Sequence, residues 1–546
     1  MNNDQWFGDS HGLYDPADNT FAPEAVAGTR QAGVGVIRYP GGTPAQLFHW
    51  KRAIGPQTSR GCQTNGADRT AVDSRYGVDE HMAFVAQAGA QASMMVNFVT
   101  ATPSENADLV EYLDAPLGTN PDGGTAWADV RAANGHPQPY HVHYFEIGNE
   151  LDRTGQRYWM SADTATAMHQ YAFGGSQPQV NQQAGKGCDF TSRATSDGTG
   201  AQTFSVEYPP VAPSSATVRV GSATVADTWR QVGDLAGAGP DDRVYTLDPT
   251  VGAIHFGDGV HGAIPDPGSR VYVDYVSGPH AGFLQRYRAM KAVDPHIDVC
   301  ATWAPITPET GLDAPGFPEL MAQHGVGDQY DCLIVHPYTN FRVLFGDTFA
   351  TARDGHDWFM LGEANAAHIL ATHVAAVRAN APARTYVTTS EFGALFFGAH
   401  DDSTYPSWQT AMSHATYFAS QWARLLDLGV PWSEGNTLIS ETPDGLRGVL
   451  GGAPGFAFTA EAVVRQALRP IVEGGGTVVA HRVIANPVIA TEPTAHGSSY
   501  SALVTTATLD AHGRLSLVVV NRGPEQAVPS EVVTPGYRHT STATVS

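Results

Sequence analysis

Two glutamates stand at the ends of apolar, strand-like runs. Glu150 closes "YFEIGNE" (144–150), and Glu391 lies at the end of the strand-like part of "TYVTTSEFG" (385–393). In a parallel barrel the carboxyl ends of all strands share one face, so two such side chains would meet there. A pair of carboxyl groups can cleave a glycosidic bond, since one protonates the leaving oxygen while the other attacks the sugar or activates water. Either glutamate alone could instead be a solvated loop residue or a charge at a helix N-terminus.

The pattern around these glutamates supplies a framework of that kind. Strand-length runs alternate with helix-length segments through most of the first 440 residues, and segment 77–90 has helical periodicity. Repeated βα units of this number predict an α/β protein with a (β/α)8 TIM barrel. The eight strand candidates are "QWFGDSHGLY", "GVGVIRYPGG", "QASMMVNFVT", "YFEIGNE", "IDVCATWA", "CLIVHPY", "TYVTTSEFG" and "VPWSEGNTL".

Two regions depart from the βα rhythm. Between about Gly174 and Gly282 the chain has short alternating strands separated by Gly-, Ser-, Asp- and Pro-rich turns. This pattern predicts an all-β domain inserted after strand four, where an insertion needs only closely spaced ends. Alternating strands also replace the helices near the end of the chain and predict a C-terminal β-sandwich. The predicted organisation is 1–173 and 282–475 for the two barrel halves, 174–281 for the insertion and 476–546 for the sandwich.

The composition excludes several function classes. The formal net charge of the 546 residues is −23, which would repel phosphate backbones, so we predict no nucleic-acid partner. No run of eighteen apolar residues occurs, so we predict no membrane span.

The four cysteines show no zinc spacing, and we predict neither a metal nor another cofactor. Cys300 and Cys332 lie in apolar strand-like runs and are predicted to be buried thiols. Cys62 and Cys188 lie in polar sequence and could form a disulfide if the protein is exported. The opening "MNNDQWFGDS" carries no signal peptide, so we predict a secreted protein whose leader is absent from this sequence, with a cytoplasmic location as the alternative.

Seven short motifs carry a family resemblance. They occur in the order seen in clan A glycoside hydrolases and most resemble the α-L-arabinofuranosidases of glycoside hydrolase family 51. The likeness covers most of residues 30–150 and 280–475. It implies that Glu150, at the end of strand four, is the general acid/base and that Glu391, at the end of strand seven, is the nucleophile of a retaining enzyme. The motifs are "RYPGG", "WKRAIGP", "VNF", "FEIGNELD", "VDP", "IVHPY" and "SEFG".

The resemblance also implies roles for neighbouring residues. Asn149 would hydrogen-bond the sugar 2-hydroxyl, a contact that strengthens in the transition state. Arg38 would contact Glu391 and keep it ionised, although pairing with Glu146 inside the barrel is an alternative. Tyr338 would hold an oxygen of Glu391.

Three further positions carry open alternatives. His336 would bind substrate or tune Glu150, but it could also be a satisfied core histidine. Asn97 would bind sugar hydroxyls, or it could only cap a turn. Trp50 would form an apolar wall for a furanose ring, or it could pack beneath a loop.

The sequence departs from the family pattern in places. Thr43 follows "PGG" where the arabinofuranosidases usually have asparagine, and the segment after Glu150, "LDRTGQRYW", is longer and more basic. Asp9 or His11 stands near the strand-one position that carries a substrate-contacting carboxylate in the family, without a clear match. These departures bear on the identity of the sugar more than on the mechanism.

Three functional interpretations follow from the sequence. The first is a retaining glycosidase acting on arabinofuranosidic linkages of an oligo- or polysaccharide. The second keeps both glutamates but changes the sugar, as in a β-xylosidase or β-glucuronidase. The third is a non-catalytic carbohydrate-binding or tail-associated protein. The sequence leaves open the linkage, endo or exo action and the oligomeric state.

Overall fold

The structure is a computed structural model. It describes residues 12–222, 224–306, 316–342, 349, 351–397, 411–440, 448–472, 475–525 and 527–537. Up to residue 173 the chain alternates strands and helices, with short 3-10 turns between them. The strands are β1 (Tyr14–Asp15), β2 (Thr20–Phe21), β3 (Val36–Tyr39), β4 (Cys62–Thr64), β5 (Ala71–Asp73), β6 (Gln91–Val96) and β7 (Tyr144–Ile147). The helices are α1 (Pro23–Gln31), α2 (Val78–Ala88), α3 (Pro103–Asp114), α4 (Trp127–Ala133) and α5 (Thr164–Phe173).

A seven-stranded sheet follows α5. Its pairing order is β8-β14-β10-β11-β12-β13-β9, and every pair is antiparallel except the parallel pair β11 and β12. The sheet has a hydrophobic core of its own, which includes Phe204, Val218, Trp229 and Ile254. Its strands are β8 (Gly175–Gln183), β9 (Thr203–Ser205), β10 (Thr217–Gly221), β11 (Ala226–Gln231), β12 (Val244–Asp248), β13 (Ala253–Phe256) and β14 (Arg270–His280).

The βα pattern then resumes, and a second β region follows it. The helices are α6 (Phe283–Val293), α7 (Phe317–Gln323), α8 (Ala352–Asn380), α9 (Met412–Leu428) and α10 (Ala460–Val472). The strands among them are β15 (Asp298–Ala301), β16 (Cys332–Ile334), β17 (Thr339–Arg342), β18 (Tyr386–Thr388) and β19 (Ala394–Phe397). The last strands are β20 (Thr477–Val478), β21 (Val488–Thr494), β22 (Gly497–Ser501), β23 (Leu503–Leu509) and β24 (Leu515–Asn521).

One parallel sheet unites the two barrel segments. Its order is β18-β16-β15-β7-β6-β3, so β7 and β15 are neighbours although the seven-stranded sheet separates them in sequence. Ile37, Phe145 and Val299 on these strands are fully buried. Apolar strands covered by helices are typical of parallel sheets, and the arrangement is a TIM-barrel-like α/β fold.

Two of the eight predicted barrel strands, the first and the eighth, are not strands of the described parallel sheet. Residues 5–11 of the first candidate, which include Asp9 and His11, lie outside the described residues, and Tyr14 belongs to a short antiparallel strand. Within the described residues, the eighth candidate pairs with the sheet through a parallel bridge between Thr389 and Ser433 and forms no continuous strand. No helix in the described ranges has the length and apolarity needed to cross a bilayer.

The prediction of buried thiols at Cys300 and Cys332 is wrong. The two residues are register partners on β15 and β16 with a Cα–Cα distance of 4.4 Å, and their sulfurs are bonded. Directly opposed positions on neighbouring strands bring the side chains close enough to bond, which strand patterns alone do not reveal. Cys62 and Cys188 also form a disulfide, which joins β4 to the segment between β8 and β9.

Arg522 ties the C-terminal strands to helix α8. Its Nη1 donates to Glu363 Oε2 at 2.6 Å, and its Nη2 donates to the carbonyl of Ser501 at 2.6 Å. Both charged side chains are buried, and Arg424 Nε lies 3.6 Å from the other oxygen of Glu363. We expect Arg522→Ala to lower the free energy of unfolding by about 3 kcal/mol, because the buried Glu363 carboxylate would keep only the more distant Arg424 as a charge partner. Urea denaturation measures this change.

Arg514 provides the matched control. It pairs with Asp510 on the surface, and its side chain is 72% exposed. Arg514→Ala should change the free energy of unfolding by less than about 0.5 kcal/mol, since exposed ion pairs are screened by water. Equal losses in the two variants would contradict the buried role of Arg522.

Candidate active site

The carboxyl ends of the parallel strands bring the predicted site residues together. Glu150 follows β7, Glu391 follows β18, and His336 and Tyr338 follow β16. Arg38 lies within β3 and is fully buried. Residues from four separate strands therefore meet at one end of the sheet, as the barrel prediction requires.

Glu391 is a buried carboxylate surrounded by donors. Arg38 Nη1 donates to Oε1 at 2.5 Å, and the Tyr338 hydroxyl donates to Oε2 at 2.8 Å. Burial alone would raise the pKa of Glu391, but His336, Arg38 and Tyr338 together lower it to about 2. Glu391 is therefore ionised at neutral pH.

Arg38 connects several site residues. Besides Glu391, it forms a salt bridge with Glu146, and its Nη2 donates to Asn149 Oδ1 at 2.8 Å. Both the predicted contact with Glu391 and the alternative pairing with Glu146 are present. Arg38 donates to the amide oxygen of Asn149, so Asn149 Nδ2 is the atom that can donate to a ligand. Gln156 Oε1 lies 3.4 Å from Asn149 Nδ2.

Glu150 has a different environment. Its backbone φ is 47°, a left-handed conformation that is uncommon for a residue with a side chain and is often found at functional sites. His336 Nδ1 lies 3.0 Å from Oε1, and Arg153 Nη2 lies 2.8 Å from the same oxygen. Gln156 Nε2 donates to Oε2 at 2.8 Å. The Glu150 side chain is slightly more exposed than that of Glu391, at 11% against 8%, and it lines a cleft.

The two glutamates lie close to one another. One carboxylate oxygen of each, together with a ring nitrogen of His336, forms a group whose atoms all lie within 4.8 Å of one another. This closeness is consistent with retaining glycosidases, whose carboxyl groups are about 5–5.5 Å apart, rather than inverting ones, whose carboxyl groups are about 6.5–9.5 Å apart. Metal ions can bind such trios, but Arg38 and Arg153 already contact the carboxylates and would repel a cation.

A small cleft lies beside Glu150. Asp152 in this cleft is almost fully buried, and burial followed by the charge of Glu150 raises its pKa to about 6. Burial lowers the pKa of His336, but Glu391 and Glu150 outweigh this effect, so the pKa of His336 is raised. The cleft is lined by Glu150, Asp152, Arg153, Thr302, Ala304, Ile306, Ile334 and His336.

Trp50 and Asn97 both make contacts with neighbouring protein residues. Trp50 is 4% exposed, packs against Tyr112 and Trp127, and donates from Nε1 to the carbonyl of Glu105. Asn97 makes two hydrogen bonds with Thr100, one from its Nδ2 and one to its Oδ1. Neither residue lines the cleft beside Glu150.

Sequence reasoning missed several polar residues of the site. Ser390 Oγ lies 3.0 Å from His336 Nε2, and Asn436 Nδ2 donates to the Tyr338 hydroxyl at 2.6 Å. Gln46 donates from Nε2 to the carbonyl of Asn149. Ser390 could have been found, because it directly precedes Glu391, whereas Asn436 and Gln46 lie in segments with no catalytic motif.

Part of the chain is similar in sequence to known arabinofuranosidases. The family model described as "Alpha-L-arabinofuranosidase 1 domain" matches residues 30–171. The intracellular exo-α-(1→5)-L-arabinofuranosidase of Streptomyces lividans is 32% identical over 174 residues, which cover 29% of this chain and 25% of that protein. The probable α-L-arabinofuranosidase C of Aspergillus flavus is 31% identical over 144 residues, which cover 26% and 27% of the two chains. The matches thus span about a quarter of the length of these relatives.

Solved structures extend the likeness to the whole fold. A family 51 α-L-arabinofuranosidase from Bifidobacterium longum has a TM-score of 0.59 at 17% identity, covering 94% of this chain and 80% of that one. The family 51 arabinofuranosidase of Xanthomonas axonopodis pv. citri has a TM-score of 0.58 at 15% identity, with coverages of 96% and 81%. This chain is similar to the family 51 α-L-arabinofuranosidases.

The similarity confirms the resemblance inferred from the motifs. The segment matched by the arabinofuranosidase family model contains Arg38, Asn149 and Glu150 but ends well before His336 and Glu391. The second half of the arabinofuranosidase-like site therefore rests on the geometry, which places His336 and Glu391 beside Glu150.

Proposed function

We propose that this protein is a retaining glycoside hydrolase that cleaves α-L-arabinofuranosidic linkages by double displacement. The observation that carries the proposal is the pair of glutamates within 4.8 Å, one ionised and surrounded by donors and the other beside an open cleft. Similarity to arabinofuranosidases supports the choice of sugar.

The two glutamates take different roles in the first step. Glu391 Oε attacks the anomeric carbon, and the bond from that carbon to the leaving oxygen breaks. Glu150 gives its proton to the leaving oxygen, so that an alcohol departs and a glycosyl ester remains on Glu391. Asn149 Nδ2 donates to the sugar 2-hydroxyl, and this contact strengthens as positive charge develops on the ring.

The second step reverses these roles. Glu150, now a carboxylate, takes a proton from a water molecule whose oxygen attacks the anomeric carbon. The ester bond to Glu391 breaks, and the product keeps its original anomeric configuration. Arg38 and Tyr338 stabilise Glu391 as it becomes a carboxylate again.

Product analysis tests the activity. The protein is incubated with 4-nitrophenyl α-L-arabinofuranoside, arabinan, arabinoxylan and arabinogalactan, and NMR identifies the first anomer released. We expect α-L-arabinofuranose to appear before mutarotation. Release of the β anomer would overturn the retaining mechanism, and activity only on xylosides or glucuronides would favour the second interpretation. Binding of these polymers without turnover would favour the non-catalytic one.

The pH dependence provides a further prediction. The nucleophile must be ionised, so kcat/KM falls as the pH drops through the pKa of Glu391, which is about 2. Tyr338→Phe removes a hydrogen bond to the ionised carboxylate and raises this pKa. We therefore expect the acidic limb of the kcat/KM profile to move to higher pH in this variant.

Tyr330→Phe is the control for this shift. Tyr330 is also buried and lies just before β16, but its hydroxyl has no hydrogen-bond partner among the described residues. Its replacement should leave the acidic limb where it is. A Tyr338→Phe profile that overlays the unmodified one would contradict the role of Tyr338.

The domain organisation and location extend the proposal. We propose that residues 174–281 form an inserted domain and residues 476–546 a C-terminal β-sandwich. Two disulfides favour the predicted secretion, because such bonds persist in oxidising compartments. The name of the S. lividans relative includes the word intracellular and favours the cytoplasmic alternative. Fractionation of the native host distinguishes the two.

A further inference from the structure

We propose that Ser390 is a positioning residue that fixes the imidazole of His336 with a proton on Nε2, so that Nδ1 shares one proton with Glu150. This inference rests on the proposed function, because the shared proton is the one that Glu150 delivers to the leaving group. The Ser390 hydroxyl contacts His336 and Glu146, not the carboxylates of Glu150 and Glu391.

The direction of each hydrogen bond follows from the buried ion pair beneath the site. Arg38 and Glu146 form a salt bridge in which both side chains are fully buried. The Ser390 hydroxyl donates to Glu146 Oε2 at 2.7 Å. Because a hydroxyl has a single hydrogen, Ser390 Oγ can only accept from His336 Nε2, which lies 3.0 Å away. Nε2 must therefore carry a hydrogen.

The other ring nitrogen is left to face Glu150. When the ring is neutral, Nδ1 accepts from the protonated carboxyl of Glu150 at 3.0 Å. When the ring is an imidazolium, Nδ1 donates across the same contact to the carboxylate. Neither state requires the ring to turn, because Nε2 donates its hydrogen to Ser390 Oγ in both.

The surrounding charges favour a proton on this pair. Glu391 Oε2 lies 3.8 Å from Nδ1, and the charges of Glu391 and Glu150 favour the imidazolium, whereas Arg38 opposes it. Arg153 Nη2 lies 2.8 Å from the same Glu150 oxygen that faces Nδ1, and its charge opposes protonation there, while Asp152 lines the adjoining cleft. Before bond cleavage the proton passes from Nδ1 to Glu150 and then to the leaving oxygen. In the second step the attacking water returns one proton to Glu150.

Loss of the Ser390 hydroxyl removes this constraint. The neutral ring of His336 could then carry its hydrogen on Nδ1, donate to the Glu150 carboxylate and hold it in the basic form. General-acid assistance would weaken, while the nucleophile would keep its contacts with Arg38 and Tyr338. The defect should therefore depend on how much protonation the leaving group needs.

The test compares leaving groups in three proteins. The unmodified protein, Ser390→Ala and Ser390→Thr are assayed for kcat/KM on phenyl and 2,4-dinitrophenyl α-L-arabinofuranosides. We expect Ser390→Ala to lose about 20- to 100-fold on the phenyl glycoside and less than about 5-fold on the dinitrophenyl glycoside, since general acids contribute about 10²–10⁴-fold. Ser390→Thr keeps the hydroxyl and should recover most of the loss.

The outcomes separate this inference from the proposed function. Equal losses on both glycosides, or a threonine variant as slow as the alanine variant, would overturn the role of Ser390. Absence of turnover by the unmodified protein would instead overturn the arabinofuranosidase proposal. A second measurement needs no variant: the ¹⁵N NMR shifts of His336 in the unmodified protein report which ring nitrogen carries hydrogen, and an unprotonated Nε2 would also overturn the inference.

Discussion

Glu391→Gln is expected to lose at least about 10⁴-fold in kcat on every glycoside, because no other group can form the ester intermediate. The amide has nearly the same shape, but it is a poor nucleophile and carries no charge for Arg38 to stabilise. The loss should be similar for phenyl and 2,4-dinitrophenyl glycosides, since both require attack at the anomeric carbon. Steady-state kinetics of the purified variant measures it.

Glu492→Gln is a suitable control for the same chemical change. Glu492 lies on the exposed side of β21, far along the chain from the site residues. Its replacement should leave kcat unchanged. If Glu391→Gln kept a kcat within tenfold of the unmodified protein, the assignment of the nucleophile would be wrong.

Glu150→Ala is expected to lose about 10³-fold in kcat/KM on the phenyl glycoside but far less on the dinitrophenyl glycoside. A dinitrophenolate departs readily without a proton, whereas a phenolate does not. With the activated substrate the second step becomes limiting, because no base remains to activate water. Added azide should then restore turnover and yield an arabinosyl azide, since azide attacks without losing a proton.

Gln156→Ala distinguishes the acid from its surroundings. Gln156 donates to Glu150 Oε2 but cannot supply a proton to the leaving oxygen, so its replacement should reduce kcat/KM modestly and give no azide product. A Glu150→Ala variant with equal losses on both leaving groups and no response to azide would contradict the acid/base role.

The main parts of the site were predictable because they depend on strand ends. Four site residues each follow an apolar run: Glu150, His336, Tyr338 and Glu391. The carboxyl ends of parallel strands meet at one face regardless of the loop conformations. The salt bridge of Arg38 was also predictable, since an arginine inside an apolar strand must find a carboxylate.

Other features depend on contacts between distant segments, which local patterns do not encode. Trp50 is an aromatic residue of the kind that could form an apolar wall for a sugar ring, but Tyr112 and Trp127 pack against it. Asn436 reaches Tyr338 from a segment that forms only part of a strand. The bond between Cys300 and Cys332 depends on the register of two strands, which alternation of side chains cannot specify.

The most direct test is to trap the glycosyl ester. Glu150→Ala is mixed with 2,4-dinitrophenyl α-L-arabinofuranoside without azide, quenched in acid and digested with pepsin, and mass spectrometry locates the sugar. The result expected is one arabinosyl group on the peptide that contains Glu391. A sugar attached to any residue other than Glu391, or a protein that turns over substrate without ever carrying a sugar, would contradict a mechanism built on Glu150 and Glu391.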